Sequence, residues 1–316
     1  MEFDKIHIRN YKKSNQILSG IQSKLVYYLS AILLLLAFTP LCVVAQQTTF
    51  VTAEAAADRL SEIVVAKDIS SVKALFGEEY LYLLPLNEIK AQDRELFISA
   101  WKTSHQLIAG KKDEMIIEVG TAGWTFPIPL KKNKDGWFFD TVSGAEIVQT
   151  RRIGRNELST IQAVLAYYDA QMEYAEQDRN NNGVLEYAQK FISTSGKKDG
   201  LYWAAEADEI PSPLGSFFAG NTPEGAYHGY YYKILKAQGE SARGGTYSYL
   251  MGEYMKSGFA LVAWPAEHGD SGVMSFLINH DGIIYEKNLG SDTDNIVAQM
   301  NSFDPGDGWV RVEETP

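Results

Sequence analysis

Leu158, Ile161, Leu165, Tyr168, Met172 and Ala175 recur at spacings of 3, 4, 3, 4 and 3. That spacing predicts one apolar face of a helix. Asn156 stands where an N-cap would, and so short a stripe suits a helix lying on a sheet better than a coiled coil. The sheet is expected from the C-terminal end. Phe259–Trp264 reads as a strand stopped by Pro265, and Val273–Ile278 as the next, with Met274, Phe276 and Ile278 on one face. Asn279–Gly282 turns the chain, because Asp-Gly tolerates positive φ, and Ile283–Glu286 returns. Ser291 or Asp292 would cap a last short helix reaching Asn301, and Asp304–Gly308 turns into Trp309–Val312.

The preceding half reads as helices followed by strands. Thr52 caps a helix through Ala53–Ile63, a second runs from Ile69 to Phe76 and stops at Gly77, and a third spans Asp93–Leu107 with Leu96, Phe97 and Ala100 on one side. Met115–Val119, Thr125–Leu130 and Trp137–Asp140 are short strands separated by Gly123 and Lys134-Asp135-Gly136. The expected fold class is therefore α+β in two parts, residues 46–152 and 153–316. The first is analogous to the nuclear-transport-factor-2-like arrangement of helices and antiparallel meander. The second, a long helix packed on an antiparallel sheet, is analogous to the globular part of pilin-like proteins.

Residues 1–45 have a different character. Lys5, Arg9, Lys12, Lys13 and Lys24 precede an apolar run, Leu25–Ala45, that ends in small residues. This is the pattern of a signal peptide cleaved after Ala45, leaving Gln46 first. An uncleaved anchor is the alternative, since about 20 apolar residues span a bilayer, and a membrane association is expected only in that case. Export to the periplasm or beyond follows from either reading. The only cysteine, Cys42, lies within the segment, so the mature chain would have no thiol, disulfide or cysteine-held metal. The segment holds 5 basic and 2 acidic residues, so its removal takes the formal net charge from −11 to −14. Such a surface repels phosphate backbones and excludes nucleic acid as an expected partner.

Candidate chemistry is sparse. Asp178-Arg-Asn180-Asn-Asn182-Gly183-Val184-Leu-Glu186 alternates oxygen-bearing side chains and has glycine at the sixth position, as in a calcium loop of the EF-hand kind. Asp178, Asn180 and Asn182 can supply side-chain oxygens, Val184 a backbone oxygen, and Glu186 a further one directly or through water. The twelfth position is Gln189 in place of a bidentate glutamate, and the same residues also suit a polar turn. Gly269-Asp270-Ser271-Gly272 beside His268 resembles the surroundings of a protease nucleophile, although neighbouring residues in a hairpin rarely point at one another. His105, His228, His268 and His280 show no zinc spacing. The acidic pairs Glu78/Glu79 and Glu206/Asp208 lack a context that would set two carboxylates across a cleft.

Aromatic residues crowd the stretch from Tyr202 to Tyr254, interrupted by Gly239, Gly244 and Gly245, and Phe217 and Phe218 belong to it. Tyrosine offers an apolar ring with a polar tip, suited to sugar, peptide or protein surfaces, while aromatics also fill ordinary cores. The region from Gly196 to Ser257 shows little periodicity and reads as long ordered loops. Tyr202, Trp203, Tyr230, Tyr231 and Trp264 are the candidate ligand-binding residues.

Arg151–Glu157, Tyr187-Ala-Gln-Lys-Phe191, Gly200-Leu-Tyr-Trp203, Gly229–Leu235, Gly258–Pro265 and Ser271–Phe276 together resemble the bacterial exported-protein family catalogued as domain of unknown function 2950 (DUF2950). The likeness covers essentially the whole mature chain and implies export, with no activity, cofactor or catalytic residue attached to it. With no catalytic constellation in view, the expected role is a non-enzymatic envelope protein that binds or scaffolds another envelope protein or polymer. The alternatives are a periplasmic hydrolase acting on a sugar or peptide polymer, and a pilin-like assembly subunit that retains its apolar N-terminal helix.

Overall fold

The computed structural model describes residues 47–77, 90–205, 209, 211–215 and 225–313. The expected signal segment, Phe217, Phe218 and the pairs Glu78/Glu79 and Glu206/Asp208 lie outside the described residues. Among the described residues, no helix is long and apolar enough to cross a membrane. The fold is α+β, with five helices and antiparallel sheets in the described residues.

Helix α1 (Ala53–Ala66) begins where Thr52 Oγ1 accepts the Ala55 N–H at 3.1 Å, and it buries Ala53, Ala56, Ala57, Leu60 and Ile63. Asp68 caps α2 (Ile69–Phe76). Hydrogen bonds from Ser70 and Ser71 hold its carboxyl at about 2. Helix α3 (Ala91–Thr103) is shorter than its pattern implied. The chain leaves it at Ser104 and enters strand β1 (His105–Ala109), so His105 and Leu107 are strand residues. Trp101 is the buried residue of α3, whereas Leu96 is exposed.

Strands β2 (Glu114–Val119), β3 (Trp124–Thr125), β4 (Leu130–Asn133) and β5 (Gly136–Phe139) complete an antiparallel meander in the order β1-β2-β4-β5, with β3 on β2. The expected strand at Thr125–Leu130 is two pieces. Pro127 and Pro129 remove ladder donors between them. Leu60, Leu75, Phe76, Ile117, Ile128, Leu130 and Phe139 form the core of this half.

The long helix α4 (Thr141–Ala175) has 35 residues. It starts at Asp140, whose carboxylate accepts from Ser143 N and Oγ and pairs with Lys131. Asn156 is therefore internal to the helix and does not cap it, and the boundary expected near residue 152 falls inside one continuous helix. The apolar stripe also misidentified the buried face. Leu158 and Met172 are 58% and 43% exposed, while Thr160, Ala163, Val164, Tyr167, Ala170, Gln171 and Tyr174 are buried. Ile161, Leu165 and Tyr168 flank that face.

The second core surrounds a five-stranded antiparallel sheet ordered β14-β13-β12-β11-β6. Its strands are β6 (Tyr230–Leu235), β11 (Ala260–Pro265), β12 (Met274–Asn279), β13 (Tyr285–Asn288) and β14 (Val310–Arg311). Two-residue strands β7 (Ala237–Gln238), β8 (Tyr247–Ser248), β9 (Leu250–Met251) and β10 (Tyr254–Met255) pair locally between β6 and β11. Helix α4 packs on one face of the sheet, and α5 (Thr293–Gln299) on the other. Strand β6 falls within the stretch expected to be loop. Its sequence lacks a two-residue period because both of its faces are covered. Tyr230 reaches across the α4 side to donate to Met274 O. On the opposite side Lys233 Nζ donates to Val297 O, Ala298 O and Met300 O at the end of α5.

Helix α4 also holds the turn that precedes β12. Gln149 Nε2 donates to Gly269 O, Arg152 pairs with Asp270, and Asn156 Nδ2 donates to Ser271 O. Glu157 Oε1 accepts from Val273 N and Met274 N at 2.9 and 3.0 Å.

Candidate functional site

Helix α4 ends at Glu176, and the chain turns back on itself through residues 178–188. Asp178 accepts from Asn182 N (3.0 Å) and Gly183 N (2.8 Å), Asn180 Oδ1 from Asn182 N (3.2 Å), and Asn182 Oδ1 from Val184 N (2.8 Å). Asn181 and Gly183 take positive φ of 57° and 81°, which makes the turn tight. Asn180 Nδ2 and Asn182 Nδ2 both donate to Glu186 Oε1, at 2.9 and 2.6 Å. The turn thus gathers Asp178, Asn180, Asn182 and Glu186, with Val184 on its backbone. Gln189, at the twelfth position, turns elsewhere. Its Nε2 donates to Glu253 O and its Oε1 accepts from Lys236. The donor set is therefore two carboxylates and two amides. Among the described residues, no group of three or more His, Cys, Asp or Glu side chains gathers as a metal cluster.

Beside this turn lie two adjoining pockets. The first, about 280 Å³, is lined by Tyr174, Asn180, Glu186, Gln189, Lys190, Asp199 and Lys236 among others. The second, about 390 Å³, runs between Gln189–Ile192 and Tyr232–Ile234 of β6, the terminal strand of the sheet. Gln189 and Lys190 line both, so the two pockets adjoin along this segment, and together they are called the groove. Gln171 fixes its floor. The Ala188 N–H donates to Gln171 Oε1, and Gln171 Nε2 donates to Ala188 O.

Two of the charges in the groove pair with each other. Lys190 Nζ lies 2.7 Å from Asp199, which also accepts from Thr194 N and Oγ1. Burial pushes the Asp199 carboxyl up. The hydrogen bonds from Lys190 and Thr194 outweigh it and hold the group at about 2. Burial, then the negative charges of Glu186, Asp199 and Asp178, push the Tyr174 hydroxyl far above its ordinary value. Sequence patterning missed Lys190, Asp199, Lys236 and Gln171, which converge from separate segments with no shared local spacing.

The aromatic candidates do not form one surface. Tyr230 is fully buried against Phe276, and Trp203 is buried with Lys198 Nζ 5.5 Å from its ring centroid. Both are core residues, so these two of the candidate ligand-binding residues offer little ring surface to a ligand. Tyr202 is half-buried, and its backbone pairs with Phe191 and Ser193. Tyr231 and Trp264 lie side by side on the α5 face, with ring centroids 5.7 Å apart and Trp264 Nε1 donating to Asp294.

Ser271 closes a turn. Its Oγ accepts from Glu267 N and donates to Glu267 O, while His268 bonds Asn288. His105 stacks on Trp101, and His280 lies against Tyr249 and Tyr247.

The sequence profile of the family described as "Protein of unknown function (DUF2950)" matches residues 47–312. No curated protein and no solved structure matches the chain significantly.

Proposed function

The chain belongs to the DUF2950 family, and from that premise we propose that it is an exported, non-enzymatic binding protein of the cell envelope. Its ligand is an extended segment of an envelope protein or polymer. The carrying observation is the groove shared by the two pockets along Gln189–Ile192 and β6. Adjoining pockets, one lined by amides, lysines and tyrosines and the other by Phe191, Ile192 and Ile234 among others, suit a chain with alternating polar and apolar parts.

Two features favour binding over turnover. Lys190 and Asp199 are committed to each other, and a carboxyl held at about 2 is a poor proton donor near neutral pH. Ser271 uses its hydroxyl to close a backbone turn and has His268 directed at Asn288, so the geometry of a nucleophile and base is not assembled there. Export rests on the basic and apolar pattern of residues 1–45.

The test is site-specific photo-crosslinking in intact cells, with the reactive group at Gln189 or Ile192 and, as the control, at the exposed Asp58 of α1. A single envelope component captured from both groove positions and absent from the control supports the reading. Equal capture from all three, or none, counts against it. Cleavage of an envelope polymer by the purified protein, lost on Asp199→Asn, would replace it with the hydrolase reading.

A further inference from the structure

We propose that the second pocket takes an extended peptide segment of a partner protein, which adds as a strand to the outer edge of β6 through main-chain hydrogen bonds. This rests on the groove reading above and names its ligand as peptide. Strand β6 ends the five-stranded sheet and pairs there with β11 alone. Its neighbours fix the direction of its backbone groups. Gly229 O accepts from Ala266 N, and Phe259 O accepts from His280 N on the far side of β11. By the alternation of an antiparallel ladder, Tyr231, Lys233 and Leu235 bond β11, while Tyr232 and Ile234 turn their N–H and C=O groups outward.

That edge is covered at both ends. Tyr230 and Tyr227 exchange N–H to C=O bonds in both directions, at 3.1 and 2.8 Å, and Lys236 O accepts from Tyr249 N. Ile234 stands in the stretch between, and among the described residues no group bonds its amide or carbonyl. The facing wall is built the same way. Ile192 pairs in parallel with Tyr202 through its neighbours, Tyr202 N donating to Phe191 O and Ser193 N to Tyr202 O. The N–H and C=O of Ile192 itself therefore point away from Tyr202, and among the described residues nothing bonds them. Ile192 and Ile234 both line the second pocket. Gln189 joins the two walls at one end, its Oε1 accepting from Lys236 Nζ.

An uncovered strand edge is a template for another strand. A peptide carries N–H and C=O groups at strand spacing and so answers both walls at once, which a saccharide does not. A second copy of this chain would bring its β6 behind its own Gln189–Ile192 wall, so the two edges could not meet. The open stretch from Tyr231 to Leu235 is about 13 Å long, room for four or five ligand residues. Phe191, Ile192 and Ile234 ask for an apolar side chain among them. Charge asks for an acidic one beside it. Lys190 and Lys233 line this pocket and no acidic side chain among the described residues does, although Lys190 also holds Asp199 from outside it.

The experiment selects random decapeptides from a display library on the purified protein and measures the enriched peptides in solution. Binding is expected to slow hydrogen exchange at the Ile234 and Ile192 amides by about tenfold or more. N-methylation of a pairing peptide amide should weaken binding by about tenfold or more. Ile234→Pro removes an outward N–H where an edge strand tolerates proline, and should keep its melting transition and lose binding, while Ile234→Val should keep both. Where Ile234→Pro fails to fold, the N-methyl series on the wild-type protein decides. Peptides that bind while both amides exchange as in the free protein, or that are indifferent to N-methylation, would overturn strand addition and leave the groove reading in place. A library without binders would also overturn it. Crosslinked capture at Gln189 and Ile192 would then preserve the groove reading, and no capture there would remove that as well.

Discussion

Gln171 holds Ala188 by both of its backbone groups, with the Ala188 N–H donating to Oε1 and Nε2 donating to Ala188 O, each at 2.8 Å. The amide of a buried helix residue thus does what a neighbouring strand would do. It also closes the loop between the end of α4 and the groove, because the turn at 178–186 lies wholly between these two anchor points. Gln171 Nε2 additionally reaches the Tyr167 hydroxyl, which itself donates to Ala260 O on β11. One helix face therefore ties the groove wall to the sheet.

Replacing Gln171 by leucine is expected to lower stability by about 2–5 kcal/mol, since a buried N–H and a buried C=O each lose their partner at about 1–3 kcal/mol. Gln171→Leu should show this in urea unfolding, and hydrogen exchange at Ala188 should quicken by more than at Leu60, in the other core.

Two glycines of α4 should respond in opposite directions to alanine. At Gly154 a Cβ meets nothing within 4 Å, so Gly154→Ala should stabilise by about 0.5–1 kcal/mol through helix propensity. At Gly144 a Cβ would stand 2.9 Å from Ile128 Cγ1 and 3.1 Å from Cγ2, and Ile128 is fully buried. Overpacking of that kind costs about 1–3 kcal/mol, so Gly144→Ala should be net destabilising by about 1 kcal/mol. Melting curves of the two variants would show the contrast.

Legibility in the sequence followed how many partners each residue needs. Strands β11 and β12 could be read because both are short, largely apolar runs bounded by turn residues, and the cap at Thr52 sits at a recognisable junction, whereas Asp292 precedes its helix without a side-chain capping bond. The face of α4 could not. Thr160 and Gln171 are polar yet buried, satisfied by Asn156 O and by Ala188, while Leu158 and Met172 are apolar yet exposed. Strand β6 was hidden because Lys233 lies on a sheet face and finds its acceptors at the end of α5, 64 to 67 residues away. The turn at Asp178–Glu186 was visible because its residues are contiguous. The groove beside it was not, because Gln171, Lys190, Asp199 and Lys236 meet only on folding.

Acid should remove the contribution of Asp199. Its folded value of about 2 lies below the ordinary carboxylate value of about 3.9. The associated stability is therefore fully present above about pH 5 and is lost as pH falls through the interval from about 4 to 2. Wild type should exceed Asp199→Asn by about 1 kcal/mol at pH 6, after allowance for solvent screening of a surface pair. The gap should close by about pH 2. Denaturant titrations of both proteins at several pH values would check this, and a gap independent of pH would refute it.

Glu157 separates an acceptor's role from that of a charge. Its Oε1 accepts the N–H groups of Val273 and Met274, which fixes the start of β12. Its charge also acts on Glu286. Burial first, then the Glu157 carboxylate, pushes the Glu286 carboxyl above its ordinary value. A carboxyl so raised makes folding costlier once pH exceeds its unfolded value, so neutralising residue 157 should relieve part of that cost near neutral pH. Glu157→Gln keeps an oxygen acceptor and removes the charge, and should stay within about 1 kcal/mol of wild type at pH 7. Glu157→Leu keeps neither and should lose about 2–4 kcal/mol as two strand donors go unpaired. If both variants fell equally in urea unfolding, the charge itself would be what holds β12 to α4. If only leucine fell, the hydrogen-bond geometry would be.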